Sequence, residues 1–337
     1  MKFGIFDHVD RNDLPLHTYY EARLKLVELY DQAGFYSYHI AEHHAPPLGL
    51  SPSPSVFLSA VAQRTRSLRF GPMIYALPLY DPLRLLEEIC MLDQMSGGRL
   101  DMGFGRGASP IELGFFGCDP VEAESIYTEG LQVILQGLAD QYLNFKGKHY
   151  TYDDVPVCVT PFQKPHPPMW YGIHSPESAA RAASKGLNVI SLDHAELTRT
   201  FTDSYRERLL HLGKGDEPEP LIGIGRFIVL AETDDEALDI ARLGYPMWHD
   251  SFNYLFRLHG SQPRHPRAAD FDKLCAEGQG IAGSPNTVIK YLSADLKRSG
   301  ANYLVGQFAF GSLSEEETTR SIELFVEQVM PALRDDD

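Results

Sequence analysis

Three short stretches of the sequence combine residue types that bind ligands or move protons. The first is Glu42-His43-His44, in which a carboxylate precedes two imidazoles that can titrate near neutral pH. Neighbouring residues of a strand point to opposite faces, and no HExxH spacing is present, so the sequence does not favour a metal site. The favoured interpretation is a pocket histidine that hydrogen-bonds a ligand or shuttles a proton. A purely structural histidine is the alternative.

The other two stretches are typical of phosphate binding. Gly103–Gly107 places Arg106 in a glycine-rich turn, where the guanidinium can make two hydrogen bonds to phosphate and the backbone can approach a ligand closely. His174–Ser178 combines hydroxyl groups with the free N–H groups of a first helical turn. Neither stretch matches a P-loop or a dinucleotide-binding fingerprint, and an ordinary tight turn and an ordinary helix cap explain them equally well.

A (β/α)8 TIM barrel is the fold that would bring these stretches together. Segments of strand length alternate with helical patterns, which favours a parallel sheet with crossover helices, and the active site of such a barrel forms at the C-terminal ends of the strands. We predict one domain over residues 1–337, with strands at Phe3–Ile5, Tyr36–Ala41, Leu68–Tyr75, Arg99–Phe104, Met169–Ile173, Leu187–Leu192, Leu221–Ala231 and Tyr303–Phe308. The predicted helices are Leu16–Ala33, Ser53–Arg64, Pro82–Met95, Val121–Leu138, Pro176–Lys185, Glu196–Leu212, Asp234–Tyr245, Pro285–Arg298 and Ser314–Leu333.

Two segments interrupt this alternation. Tyr142–Val159 alternates polar and aromatic residues around Gly147 and predicts a hairpin inserted after the fourth unit. Pro246–Gly283 follows the seventh strand and is rich in aromatic residues and prolines, so we predict a long irregular insertion that is either an active-site lid or a disordered loop. Within the third strand, Pro72 lacks a ladder donor and indicates either irregular backbone or a tolerated proline.

Composition narrows the functional classes. The 337 residues carry a formal net charge of −16, which disfavours binding to nucleic acid or to an anionic membrane. The sequence shows no signal-peptide pattern and no apolar run long enough to span a membrane, so we expect a cytoplasmic protein. The four cysteines fit no zinc spacing and are expected to be reduced thiols.

Taken in order, the motifs resemble those of the bacterial luciferase-like monooxygenases. The matching stretches are Ala41–His44, Leu77-Pro78, and Leu92–Leu100 leading into Gly105-Arg106-Gly107, and the resemblance covers nearly the whole chain. It implies a TIM barrel that binds reduced FMN from a separate flavin reductase and takes O2 as co-substrate. In this family a C4a-peroxyflavin forms and attacks a small organic substrate. A dimer is also implied, and we expect it to form through the predicted helices Ser53–Arg64 and Pro82–Met95. Ser59, Ala60 and Ala62 would permit close packing there, although the same residues could instead face the barrel.

The resemblance also implies roles for single residues. His44 would be the catalytic histidine beside the flavin, and Glu42 would be a neighbouring cofactor-binding residue. Contacts with the flavin phosphate would come from Arg106, Gly107, His174, Ser175 and Ser178. A non-proline cis peptide bond is expected between Met73 and Ile74, under the isoalloxazine ring.

The chain departs from bacterial luciferase at two places. His174-Ser175 stands where luciferase has Glu-Ser, and Gly105 replaces a reactive cysteine, so light emission does not follow from the resemblance. Two other functions stay open: hydride transfer with a deazaflavin cofactor, and a non-catalytic flavin-binding partner subunit. We expect an apolar substrate pocket formed by Phe104, Phe115, Phe116 and the aromatic residues of the predicted lid, although Phe115 and Phe116 would equally suit a core.

Overall fold

The computed structural model, which describes residues 1–107 and 109–335, contains the predicted parallel barrel. Its strands are β1 (Lys2–Asp7), β2 (Ser37–Ile40), β3 (Arg69–Pro72), β4 (Tyr75–Ala76), β5 (Met102–Gly105), β6 (Tyr142–Lys146), β7 (Thr151–Pro156), β8 (Met169–Gly172), β9 (Asn188–Ser191), β10 (Ile222–Leu230), β11 (Gly280–Gly283) and β12 (Tyr303–Gln307). The sheet runs in the order β3-β2-β1-β12-β10-β9-β8-β5-β4, and β11 pairs with β10 off this path.

The third predicted strand is divided into β3 and β4. β3 pairs with β2 and ends at Pro72, whereas β4 pairs with β5. A bridge between Phe70 and Leu100 joins β3 to the segment before β5 and brings the two ends of the sheet together. Counting β3 and β4 as one interrupted strand therefore gives a nearly closed TIM barrel, and of the two interpretations of Pro72 the irregular backbone is confirmed.

Helices are present at all nine predicted positions. The helices of the structure are α1 (Leu16–Gln32), α2 (Pro54–Arg64), α3 (Pro82–Ser96), α4 (Pro110–Phe115), α5 (Ala123–Ala139), α6 (Pro176–Ser184), α7 (Ala195–His211), α8 (Asp234–Leu258), α9 (Phe271–Ala276), α10 (Pro285–Ser299), α11 (Glu315–Leu324) and α12 (Met330–Asp335). Leu77–Leu79 is a 3-10 turn, and Phe325–Val329 is a π-helical segment that joins α11 to α12.

Local capping explains several of these boundaries. The Asp81 side chain accepts the N–H groups of Leu83 and Arg84 at the start of α3, and Gly97 ends that helix with a left-handed φ of 64°. Ser314 and Glu317 form a reciprocal capping box at the start of α11. These short-range signals lie in the sequence itself, so both ends of α3 and the start of α11 agree closely with the predicted ones.

The predicted hairpin is present and the predicted irregular insertion is largely wrong. β6 and β7 pair antiparallel, with Tyr142 opposite Pro156. Pro246, however, lies inside α8, which continues for 25 residues to Leu258. Tyr245 and Trp248 are buried on one face of α8, and this packing offsets the single helical hydrogen bond that proline removes. Irregular backbone is confined mainly to residues 259–270, before α9 and β11.

A polar cluster is buried inside the barrel. Nε2 of His39 lies 2.9 Å from the Tyr303 hydroxyl, and Nε1 of Trp170 donates to Asp101 at 3.2 Å. Asp101 also pairs with Arg69 at 2.6 Å. These hydrogen bonds satisfy polar side chains that would otherwise be costly to bury. They therefore hold the side chains inside the barrel in place beneath the strand ends. Among residues 1–107 and 109–335, no helix has the length and apolar character needed to cross a bilayer.

Candidate functional site

The Glu-His-His stretch follows β2, and the Glu42 side chain binds both His44 and the segment that contains Ala76 and Tyr80. Glu42 is buried, and its Oε1 lies 2.8 Å from Nε2 of His44. Its Oε2 accepts hydrogen bonds from the Ala76 N–H at 3.1 Å and from the Tyr80 hydroxyl at 2.9 Å. Burial and the Glu42 carboxylate raise the pKa of Tyr80, which keeps that hydroxyl a neutral donor. Both carboxylate oxygens are thus engaged by the protein itself.

The two histidines of the stretch face different surroundings, although Glu112 on α4 binds both residues. Glu112 Oε1 lies 3.1 Å from Nδ1 of His43, and Oε2 accepts the backbone N–H of His44 at 2.7 Å. The His43 ring stacks on His8 at 5.9 Å, whereas the His44 ring packs edge-on against Phe116 at 4.7 Å. His43 is therefore oriented toward the end of β1, and His44 toward the loop that follows α4.

His8 links this stretch to α8. Its ring lies 4.8 Å from Phe6, and 5.5 Å from Trp248 on α8, as well as against His43. Burial, followed by the nearby His43 and Arg267, holds the pKa of His8 well below its usual value. A neutral imidazole consequently stands between the Glu-His-His stretch and Trp248.

The predicted phosphate-binding stretches follow two adjacent strands. Gly103 in β5 pairs with Trp170 in β8, and Arg106 and His174 come shortly after these residues. The Arg106 side chain is half exposed, and its hydrogen bond to Glu124 is long, at 3.4 Å. Gly107 adopts a left-handed φ of 85°, which suits glycine. The guanidinium and the start of α6 therefore follow neighbouring strand ends.

Ser175 and Ser178 form the cap of α6. The Ser175 hydroxyl accepts the Ser178 N–H at 3.2 Å, and the Ser178 hydroxyl accepts the N–H groups of Ser175 at 3.1 Å and His174 at 3.2 Å. The structure thus contains the helix cap that the sequence offered as one interpretation. The phosphate-binding role of these residues stays a prediction.

The Met73–Ile74 peptide bond is cis, as the resemblance implies. The strand opposite this bond is rich in glycine because the backbones approach closely. A Cβ on Gly103 would lie 2.3 Å from the Pro72 carbonyl oxygen, and one on Gly105 would lie 2.8 Å from Cδ1 of Ile74. Close packing against β3 and Ile74 is therefore one reason for these two glycines.

Residues 259–270, which we call the crossing segment, reach the ends of β8 and β9. The His265 ring stacks on His174 at 4.9 Å, and Nη1 of Arg267 donates to the Leu192 carbonyl oxygen at 3.4 Å. Burial and the neighbouring His265 lower the pKa of His174. The crossing segment thereby places a guanidinium and an imidazole near the predicted phosphate-binding turn.

The phenylalanines expected around an apolar pocket do not gather at one place. Phe104 is buried in the core, with its ring 6.1 Å from Tyr75. Phe115 and Phe116 are exposed, and only Phe116 contacts the Glu-His-His stretch. Trp248 from the predicted insertion does reach the strand ends, where it meets His8.

Sequence reasoning missed His8, Glu112 and Arg267 as members of the site. His8 directly follows the first strand, so the rule that barrel sites lie at strand ends could have found it. Glu112 and Arg267 carry no such signal, because a helix and a loop bring them to the strand ends. In the described part of the chain, no three His, Cys, Asp or Glu side chains are grouped as a metal site requires.

Comparison with known proteins identifies the family. The model of luciferase-like monooxygenases matches residues 1–303. The chain belongs to this family. Protein y4wF of Sinorhizobium fredii is 40% identical over 93% of this chain and 92% of its own length. Limonene 1,2-monooxygenase of Rhodococcus erythropolis is 27% identical over 93% of this chain and 81% of its own.

Solved structures of the same fold include proteins with two kinds of cofactor. Monooxygenase RslO1 from Streptomyces bottropensis superposes with a TM-score of 0.88 at 26% identity, covering 98% of this chain and 99% of its own. The oxygenating constituent of 3,6-diketocamphane monooxygenase from Pseudomonas putida, solved with FMN, gives 0.78 at 20% identity and 98% of both chains. An F420-dependent secondary alcohol dehydrogenase gives 0.75 at 17% identity and 99% of both chains. The last two likenesses concern the fold alone.

Proposed function

We propose that the protein is the oxygenase component of a two-component monooxygenase. It would receive reduced FMN from a separate flavin reductase and use O2 to oxygenate a small organic substrate. The observation that carries this proposal is the histidine arrangement at the strand ends, where Glu112 holds His43 against His8, in a chain that belongs to a family of monooxygenases. That arrangement provides an oriented group for proton transfer without a metal.

The ends of β5 and β8 suit the phosphate of FMN. Arg106 has one long hydrogen bond and a half-exposed guanidinium, so it is available for an anion. The first turn of α6 follows the adjacent strand and presents the positive end of a helix. Gly107, His174, Ser175 and Ser178 complete this proposed phosphate site, and Met73, Ile74 and Glu42 would lie by the flavin ring. When bound, the reduced flavin supplies the chemistry with O2.

We assign proton transfer to His43 rather than to His44. Glu112 binds Nδ1 of His43 and so leaves Nε2 to meet a ligand, since no described residue hydrogen-bonds to Nε2. The ring of His44 instead lies between Glu42 and Phe116. Carboxylate–imidazole pairs of this kind fix both the tautomer and the orientation of the ring. Glu112 is thus a positioning residue for His43.

The first experiment identifies the cofactor. Under anaerobic conditions, reduced FMN and reduced deazaflavin are each titrated into the protein while protein fluorescence is followed. We expect tight binding of reduced FMN only, and an Arg106→Ala change that weakens FMN binding about 10- to 100-fold without affecting riboflavin. Arg84→Ala, on the exposed face of α3, is the matched control. Exclusive binding of the deazaflavin would replace this proposal with hydride transfer, and binding of neither would favour a partner subunit.

The second experiment tests for oxygenation and for the role of His43 in it. Compounds are screened with reduced FMN and 18O2, and incorporation of labelled oxygen into product is measured by mass spectrometry. His43→Ala should keep FMN binding and lose labelled product, whereas His44→Ala should retain more of it. Glu112→Gln should shift the pH profile of product formation, which a residue with only a structural role would not do. Equal loss in the two histidine variants would contradict the assignment to His43.

We also propose a dimer formed through α2 and α3. Val56 on α2 is 71% exposed, and Met91 and Met95 on α3 are 52% and 48% exposed, so these helices carry unburied apolar side chains. Ala62 faces the core instead, which removes it from the predicted contact set. Light scattering coupled to size-exclusion chromatography should give twice the monomer mass, and Val56→Glu together with Met91→Glu should give the monomer.

A further inference from the structure

Arg267 reaches the C-terminal end of β9. It donates to the Leu192 carbonyl oxygen at the end of β9. Its charge also contributes to lowering the pKa of His174, after β8, and of His8, after β1. β12 and β10 separate β1 from β9 in the sheet. The hydrogen bond to Leu192 places the guanidinium at the end of β9, and the stacking of His265 on His174 places the same segment at the end of β8.

The guanidinium of Arg267 has no acidic partner among the described residues, because no carboxylate oxygen lies within 4.0 Å of it. The other deeply placed arginines are different. Arg226 pairs with Asp295 at 2.9 Å, and Arg23 lies 3.6 Å from Asp7. Arg267 makes one hydrogen bond, which is long, although a guanidinium carries five N–H donors. Arg267 is partly exposed, and burial lowers its pKa, so its charge is partly shielded from water and has no carboxylate counter-ion among the described residues.

Aromatic rings lie at the same end of the barrel as Arg267. Trp248 is 2% exposed, its ring meets His8, and its Nε1 has no hydrogen-bond partner among the described residues. His43 lies on the other side of His8. Asp193 is the leading acidic influence on Arg267, yet it forms no ion pair with it. An unpaired guanidinium and aromatic rings at the same end of the barrel suit a ligand with an anionic group and an apolar or aromatic body.

We propose that Arg267 binds the carboxylate of the substrate, so that the site takes small aromatic or apolar organic acids. The inference rests on the proposed function and specifies the substrate class, and it adds a charged group to the apolar pocket that the sequence favoured. The other anion within reach is the FMN phosphate. We assign that group to Arg106 and the start of α6, because these follow the adjacent strands β5 and β8 and need no contribution from the crossing segment.

The test measures binding rather than turnover. FMN-loaded protein is titrated with benzoate, phenylacetate and 3-phenylpropionate, and with the methyl ester of each acid, by isothermal calorimetry. We expect at least one acid to bind about tenfold or more tightly than its ester. Arg267→Met should weaken binding of that acid about 10- to 100-fold and leave binding of the ester unchanged. Arg267→Lys should recover part of the lost affinity. Arg264→Met, in the exposed part of the same segment, is the matched control and should behave as wild type.

The outcomes separate this inference from the proposed function. The absence of any acid preference in the wild-type protein, or an unchanged preference in Arg267→Met, would overturn the inference. A loss of FMN affinity in Arg267→Met, with riboflavin affinity preserved, would assign Arg267 to the cofactor phosphate and also overturn it. If the wild-type protein fails to bind FMN, the proposed function fails, and the same acid and ester titrations of the unloaded protein still decide the role of Arg267.

Discussion

Replacing His39 with glutamine should make the protein less sensitive to acid. His39 is fully buried inside the barrel, where its ring lies 4.8 Å from Trp170 and its Nε2 meets the Tyr303 hydroxyl. Burial, aided by the charge of Arg69, lowers the pKa of His39 from 6.5 to about 3. Glutamine keeps a polar atom near the Tyr303 hydroxyl but cannot take up a proton. The variant therefore removes the titration while retaining a hydrogen bond.

The sign and the size of the effect follow from proton linkage. The unfolded chain binds a proton at His39 near pH 6.5, and the folded chain does so only near pH 3, so the contribution of neutral His39 is complete above pH 6.5 and is lost as the pH falls below it. Between pH 8 and pH 5 the wild-type protein should lose about 2 kcal/mol of unfolding free energy through this residue. Glutamine should abolish that part of the loss.

Urea unfolding, followed by circular dichroism, gives the unfolding free energy at pH 8 and at pH 5. The loss between the two pH values is then compared between wild type and His39→Gln. Any constant cost of the substitution cancels in this comparison. His211→Gln, at the exposed end of α7, reports how far an unrelated histidine change alters the result. If the loss between the two pH values is the same in wild type and His39→Gln, the buried histidine is not the source and the reasoning is refuted. His39→Phe serves as a second variant should the glutamine fail to fold.

Three further predictions concern stability and folding. Asp295→Ala should lower the unfolding free energy, measured by urea unfolding, by about 3–5 kcal/mol, because it leaves the buried Arg226 guanidinium unpaired. Asp203→Ala, at the exposed pair with Arg199, should change it little. Similar losses in the two variants would contradict this prediction. Gly97→Ala should cost only about 1 kcal/mol, because φ is 64° and no atom lies within 4 Å of the added Cβ. Gly71→Ala should abolish soluble expression, because its Cβ would lie 2.2 Å from the Asp101 carbonyl oxygen; a soluble, stable Gly71→Ala protein would show that β3 can move.

The fold was predictable because its signals are local. The alternation of strand and helix patterns, the cap residue Asp81 and the terminating Gly97 act over a few residues, and each is visible in the sequence. The one large error concerned α8. A proline and a cluster of aromatic residues indicated irregular backbone after Tyr245, but packing of Tyr245 and Trp248 against the barrel keeps the helix intact. Whether a sequence with a helix-breaking residue stays helical depends on contacts made elsewhere in the chain.

The site was predictable only in part. The strand-end rule brought Glu42, Arg106 and His174 to one face of the barrel, and the family resemblance also led to the cis bond at Met73–Ile74. The roles of these residues in binding a flavin stay predictions. The sequence could not show which histidine of the adjacent pair faces His8, because that depends on Glu112, which is distant in the chain.

The sequence by itself determined the family, the barrel and the strand ends that carry the chemistry-bearing side chains. These follow from periodicity, caps and ordered motifs, which are properties of neighbouring residues. Tertiary structure alone decided that Glu112 orients His43, that α8 delivers Trp248 to His8, and that Arg267 reaches the barrel opening without a carboxylate partner among the described residues. Each of these contacts joins residues far apart in the chain, and its energy comes from burial and charge pairing that exist only after the barrel has closed.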